Sequence, residues 1–183
     1  MEEQIPGESN GFVRPESVIA QLGLKKGDHV ADFGAGHGYF TLPVARAVGS
    51  EGKVYALDVQ KHVLDVIRSR AKLLHLLNIE YIWADLEHPG GSKLKDAFVD
   101  VVIMSNIAFQ AETKDTIFKE AYRILRPGGH IALIEWNESS RVGPPKEVRI
   151  SKRKVTELAQ LTGFHFEKEF SAGTSHYGII FGK

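Results

Sequence analysis

Short runs rich in Val, Ile and Phe recur along the chain at His29–Phe33, Lys53–Asp58, Ile79–Trp83, Val99–Met104 and His130–Trp136. Polar turn residues follow each run, and then apolar residues return at every third or fourth position. Val63, Leu64, Ile67, Ala71 and Leu74 make one such face, and Ile117, Ala121, Ile124 and Leu125 another, as expected of amphipathic helices that cover a sheet. Helix ends are legible as well. Pro15 stands where a first-turn proline belongs, Gly23 where a stop glycine does, and Gly49 closes the helix that carries Ala45 and Val48. Strand and helix in alternation predict parallel strands joined by right-handed crossovers, with helices on both faces: an α/β, doubly wound sheet.

The rhythm changes near the end. A helix beginning near Ser151 stops at Gly163, and two strand-like runs, His165–Phe170 and Tyr177–Phe181, follow with only six residues between them. A parallel crossover needs a dozen or more residues, so these two runs should pair as an antiparallel hairpin. Gly90-Gly91-Ser92 and Gly143-Pro144-Pro145 read as loops within one unit, since neither separates two cores. The expected organisation is a single domain over residues 1–183, with an amino-terminal arm and helix (1–27) leading into the sheet core (28–183).

Composition narrows the chemistry. The 183 residues are 43% hydrophobic and 25% charged, which suits one globular domain and excludes disorder. Twenty-three basic and 23 acidic side chains cancel, so no global field draws in nucleic acid or an anionic membrane. There are no cysteines, which excludes disulfides, thiolate metal sites and a cysteine nucleophile. The first nine residues are acidic and polar where a signal peptide is basic and then apolar, and no stretch approaches the ~20 apolar residues that span a bilayer. A cytoplasmic protein without membrane insertion is the expectation, either monomer or homodimer.

The candidate chemistry starts where the first strand runs into Asp32-Phe33-Gly34-Ala35-Gly36-His37-Gly38 and then a helix. Such a turn faces the carboxyl edge of the sheet, where doubly wound proteins bind ligands. Dinucleotide binders space their glycines G-x-G-x-x-G, whereas here glycines alternate and an acid stands two places before the first. That acid would repel a pyrophosphate and suit a cation. Asp58 ends the second strand 20 residues after Gly38, where an acid can accept hydrogen bonds from both ribose hydroxyls. Its carboxylate is expected to face water until a ligand arrives. Asp85, after the third strand, can accept from an exocyclic amine such as that of adenine.

With these motifs in place, the sequence resembles the class I S-adenosylmethionine-dependent methyltransferases, most of all small members related to the ubiquinone and menaquinone biosynthesis methyltransferases. The resemblance runs from about Val13 to the end. It rests on Val30 to Gly38, Val54 to Asp58, Asp85-Leu86, Asp100-Val101-Val102 through Ser105-Asn106, and Leu125-Arg126-Pro127-Gly128-Gly129. It implies a Rossmann-like, seven-stranded sheet in the order 3-2-1-4-5-7-6 with strand 7 antiparallel, and S-adenosyl-L-methionine as cofactor. The cofactor residues it implies are Asp32, Gly34, Ala35, Gly36, His37, Gly38, Asp58, Val59, Asp85, Leu86, Ser105 and Asn106.

Methyl transfer from a sulfonium needs alignment and exclusion of water more than it needs a base. No catalytic residue is assigned, and the eight histidines offer neither a Ser-His-Asp order nor a metal-ligand cluster, so no metal is expected. Asn106-Ile107-Ala108-Phe109 keeps the ends of the Asn-Pro-Pro-Tyr/Phe motif of amino-group methyltransferases but lacks both prolines. The expected acceptor pocket combines Phe12, Arg14, His37, Asn106, Phe109 and Trp136, for a small-molecule substrate. His176 and Tyr177 read as turn residues. Lys146, Arg149, Lys152, Arg153 and Lys154 form a local basic run that could meet an anionic acceptor or RNA, or simply face solvent. RNA or protein methylation, or cofactor binding without turnover, are the competing readings.

Overall fold

The computed structural model describes residues 13–183. Its strands are β1 (His29–Phe33), β2 (Lys53–Asp58), β3 (Ile79–Trp83), β4 (Val99–Ser105), β5 (Leu125–Trp136), β6 (His165–Phe170) and β7 (His176–Gly182). The helices are α1 (Pro15–Ile19), α2 (Thr41–Val48), α3 (Lys61–Leu73), α4 (Lys114–Ile124) and α5 (Lys152–Thr162). One sheet contains all seven strands in the order β3-β2-β1-β4-β5-β7-β6. Strands β1 to β5 pair in parallel, and β7 runs antiparallel to both β5 and β6. The short connection between Phe170 and His176 therefore made the hairpin expected of it.

Both faces of the sheet are covered, and the alternation within each strand divides the core. Ala31, Phe33, Val102 and Met104 point to the α4–α5 side, where they meet Ile117, Phe118 and Val155. Val30, Val101 and Ile103 point the other way, against Val18, Val44 and Ile67. Two-sided burial explains why these strands read as continuous apolar runs. At α5 the local signals act together: Ser151 accepts from the Lys154 N–H at the start, and Gly163 takes a left-handed φ of 112° at the end.

Two boundaries differ from the sequence reading by more than one residue. The first helix was expected to reach Gly23 but ends at Ile19, where the N–H groups of Gln21 and Leu22 bond three residues back, to Val18 and Ile19. That is the tighter 3₁₀ winding common at helix ends. Strand β5 begins at Leu125, five residues before His130, because Leu125 already pairs with Val99 ahead of a register shift. Gly129 permits that shift. A Cβ there would lie 2.7 Å from the Asp100 carbonyl oxygen.

Candidate functional site

Parallel pairing brings the carboxyl ends of β1, β2, β3 and β4 to one edge, and the glycine turn is built there. The Gly34 and Ala35 N–H groups both donate to the Leu57 carbonyl at 2.9 Å, which holds the turn against the end of β2. Gly34, Gly36 and Gly38 have φ of 71°, 50° and 81°, a region where a Cβ is penalised. Their surroundings separate their roles. A Cβ on Gly34 would press on Ile107 at 2.9 Å, and one on Gly38 on Ile67 at 3.1 Å, so both are close-packing positions. On Gly36 the nearest atom would be 3.9 Å away, leaving its backbone open to the adjoining cavity.

Asp58 differs from the water-facing carboxylate expected of it. It is 8% exposed, and its two oxygens accept from the Gly36 N–H at 2.9 Å and the Gln60 N–H at 2.8 Å. The partner across 22 residues is what the sequence could not show. Asp32 lies behind the turn, buried, accepting from the Thr41 hydroxyl at 2.5 Å. Burial pushes its carboxyl up to about 6, against the Thr41 hydrogen bond and helped by the charge of Asp58.

A cavity of about 490 Å³ opens beside this turn. Of the residues anticipated from sequence, Gly34, Gly36, Asp58, Val59, Asp85, Leu86, Ser105 and Asn106 line it. Asp32, Ala35, His37 and Gly38 do not: they shape the turn from behind or, for His37, face solvent. Gln60, Ala84, Glu87, Ile107 and Gln110 also line it and were not foreseen. Asp85 is about half exposed and lies 3.4 Å from His88, while buried Leu86 forms an apolar wall. Glu87 accepts from the N–H groups of Glu112 and Thr113, tying this loop to the start of α4. Asn106 takes a left-handed φ of 55°. Its N–H donates to the Ile134 carbonyl at 2.8 Å, and its carbonyl accepts from the Gln110 amide. Its side-chain Oδ1 is buried without a hydrogen-bond partner among the described residues.

Ser105 and Asn106 also border a second cavity, of about 350 Å³, whose other walls are Val13, Tyr39, Phe40, Trp136 and His176. Of the anticipated acceptor residues, Asn106 and Trp136 belong to it. Arg14, immediately before α1, is exposed, His37 is on the outside of the turn, and Phe109 packs into the core on the α4 side. Phe12 lies outside the described residues. His176 was read as a turn residue, yet it pairs across the sheet with Trp136, and their rings lie 4.0 Å apart between centroids at a tilt of 36°. The antiparallel register of β7 against β5 is the only signal that brings them together. Burial pushes the His176 imidazole down to about 4. On the other face of β5 from Trp136, buried Glu135 accepts from the Ala108 N–H at 2.7 Å and the Phe109 N–H at 3.3 Å. Desolvation raises its carboxyl to about 7, the backbone donors opposing.

The basic run is largely engaged within the fold. Arg149 donates to the carbonyls of Asn137, Glu138, Ser140, Val142 and Pro144 and so holds the 137–144 loop. Lys152 pairs with Glu169, and Arg153 and Lys154 with Glu157. Among the described residues no helix is long and apolar enough to cross a membrane.

A family profile described as a methyltransferase domain matches residues 24–172. The chain belongs to that family. Among curated proteins it is 32% identical over 117 residues to the ubiquinone/menaquinone biosynthesis C-methyltransferase UbiE of Haemophilus ducreyi, which covers 63% of this chain and 44% of the relative. It is 27% identical over 128 residues to the demethylmenaquinone methyltransferase of a Geobacillus species, covering 70% and 53%. The chain thus spans about half the length of the curated relatives it matches. Among solved structures, a SAM-dependent methyltransferase from Aquifex aeolicus superposes with a TM-score of 0.86 at 27% identity, covering 93% of this chain and 90% of that one. These findings make the chain a class I methyltransferase domain, and S-adenosyl-L-methionine is the cofactor that goes with that membership.

Proposed function

We propose that this domain transfers a methyl group from S-adenosyl-L-methionine to a small, flat, largely apolar organic acceptor, a class that includes the quinone precursors implied by the relatives' names. The observation that carries the reading is the meeting of two cavities at Ser105 and Asn106. One has the polar groups a nucleoside and an amino-acid tail require, and the other is mostly apolar.

The first cavity fits the cofactor on its own features. Open backbone at Gly36, the Asp58 carboxylate, and the orphaned Oδ1 of Asn106 are groups that a ligand with hydroxyls and an ammonium can satisfy. Asp58 and Val59 would hold the ribose, Asp85 and Leu86 the adenine, and Gly34, Gly36, Ser105 and Asn106 the methionine portion. When bound, the cofactor supplies a methyl group made electrophilic by its sulfonium. The chain's part is positioning. Asn106, fixed by its hydrogen bonds with Ile134 and Gln110, and Ser105 beside it would align acceptor with donor, while Val13, Phe40 and Trp136 would exclude water from the acceptor side. A protein-derived base is not required for that arrangement to work.

Internal pairing of the basic run supports a small acceptor over RNA, because most of those cations already have partners. The test is calorimetric titration with S-adenosylhomocysteine, followed by transfer of a labelled methyl group into a panel of hydroquinones, amines and RNA. Saturable binding with label in the hydroquinone fraction is expected; absence of S-adenosylhomocysteine binding, or label in RNA alone, overturns the reading.

A further inference from the structure

His176 begins β7, is 5% exposed, and contributes to the wall of the second cavity. Both of its ring nitrogens are buried, and neither has a hydrogen-bond partner among the described residues. Buried polar groups are nearly always satisfied, and leaving one bare costs roughly 1–3 kcal/mol. Nearby groups do not relieve the deficit. The Tyr39 hydroxyl is engaged by the Val13 carbonyl, and the Asn137 amide donates to the backbone carbonyl of His176, not to its ring. Trp136 covers one face of the imidazole, and Trp136 is itself pressed by Gly143, where a Cβ would lie 2.5 Å from the indole. The ring is therefore held in place, with its nitrogens waiting for a partner that is not part of the described chain.

We propose that the acceptor enters the cavity formed by Tyr39, Phe40, Trp136 and His176 and is recognised there by a neutral hydroxyl group hydrogen-bonded to the His176 imidazole. This rests on the methyl-transfer reading for the word acceptor, though not for the binding chemistry. A neutral imidazole has one bare nitrogen and one N–H. A hydroxyl can donate to the first or accept from the second, so it satisfies either tautomer, whereas an ether or carbonyl satisfies only one. Charge is disfavoured. No Lys, Arg, Asp or Glu lines the cavity among the described residues, and the burial that keeps His176 uncharged at neutral pH would equally penalise a carboxylate or ammonium brought in without a counterion. A site built to bond a hydroxyl also rejects the analogue lacking it, because its own polar group is then left unpaired. His176 is thus assigned as the residue that selects and orients the acceptor ring, with Trp136 fixing the imidazole.

The probes are 2-naphthol, naphthalene and 2-naphthoate, titrated into the full chain saturated with S-adenosylhomocysteine and again without it. Binding is followed by two-dimensional NMR at the Trp136 indole and by the ring-nitrogen shifts of His176. The wild type should bind 2-naphthol about five- to tenfold more tightly than naphthalene, with 2-naphthoate weakest, and 2-naphthol should move the His176 nitrogen shifts. His176→Phe keeps an aromatic ring against Trp136 and removes both nitrogens, so it should bind naphthalene and 2-naphthol alike while retaining S-adenosylhomocysteine affinity. Equal binding of the two neutral probes by the wild type, unchanged His176 shifts, preference for 2-naphthoate, or no binding of any probe overturns the proposal. If the variant does not fold, the wild-type preference and nitrogen shifts still decide it. A protein that binds S-adenosylhomocysteine but shows no hydroxyl preference loses this inference alone; one that shows the preference without binding S-adenosylhomocysteine loses the methyl-transfer reading instead.

Discussion

Asp58 carries two duties on one side chain. Its oxygens hold the Gly36 and Gln60 N–H groups, which sets the turn, and the same carboxylate borders the cavity where a ribose would lie. Asp58→Ala should therefore lower stability by about 1–3 kcal/mol, since two backbone donors lose their acceptor, and weaken S-adenosylhomocysteine by more than tenfold. Asp85→Ala is the control. Among the described residues its half-exposed carboxylate meets the Glu87 N–H and His88, so stability should change by less than about 0.5 kcal/mol while affinity falls roughly five- to tenfold. Urea denaturation and calorimetry on both variants check this, and an Asp58→Ala protein as stable as the wild type would show that the carboxylate does not hold the turn. That Asp58 stands at the site was legible from its place after β2. Its burial was not, because the Gly36 donor belongs to a different strand end.

At the scale of elements, the 137–144 loop depends on a side chain from the segment leading into α5. Arg149 spreads its guanidinium donors over five loop carbonyls, and the loop in turn lays Gly143 on Trp136. Arg149→Met keeps a long apolar stem and removes the donors. Faster amide exchange and new protease cleavage confined to residues 138–144 are expected, with a changed Trp136 environment and a fold otherwise intact; protection unchanged from the wild type would count against Arg149 as the clamp. The other cations of the run have a plainer account. Lys152, Arg153 and Lys154 occupy the unfavourable end of the α5 dipole at a cost of a few tenths of a kcal/mol each, and exposed pairs with Glu157 and Glu169 offset about that much. No bound anion is needed to explain them.

For the molecule as a whole, buried ionisable groups set opposing pH dependences. Glu135 and Asp32 are raised to about 7 and about 6, so their folded-state carboxyls hold protons that the unfolded chain releases near its ordinary carboxylate range. The stability they contribute is present at acid pH and is lost as pH rises through those values. His176, lowered to about 4, acts the other way: its contribution is present above the ordinary histidine value and is lost as pH falls towards 4. Glu135→Gln isolates one limb. It keeps an acceptor for the Ala108 N–H and removes the titration, so variant and wild type should be similarly stable near pH 4.5 and diverge as pH rises. By pH 8 the variant should be ahead by on the order of 3 kcal/mol, which urea titrations of ligand-free protein at the two pH values will measure. A constant difference would mean that Glu135 is not the group titrating.

The sequence by itself determined the strand and helix alternation, the terminal hairpin and the cofactor edge, because these follow from local periodicity, loop length and turn chemistry. It placed Gly36, Asp58, Asp85 and Asn106 at strand ends, and parallel pairing made those ends neighbours. Only the tertiary structure decided the rest. Which glycine faces the cavity and which packs on Ile67 or Ile107 depends on helices and loops remote in the chain. Whether Arg149 is free or spent depends on where a loop returns. The acceptor wall depends on the β5–β7 register, since a shift of one residue would carry His176 from beside Trp136 to the opposite face of the sheet. Periodicity shows that a strand exists, but the partner of each of its residues is settled by packing across the whole sheet.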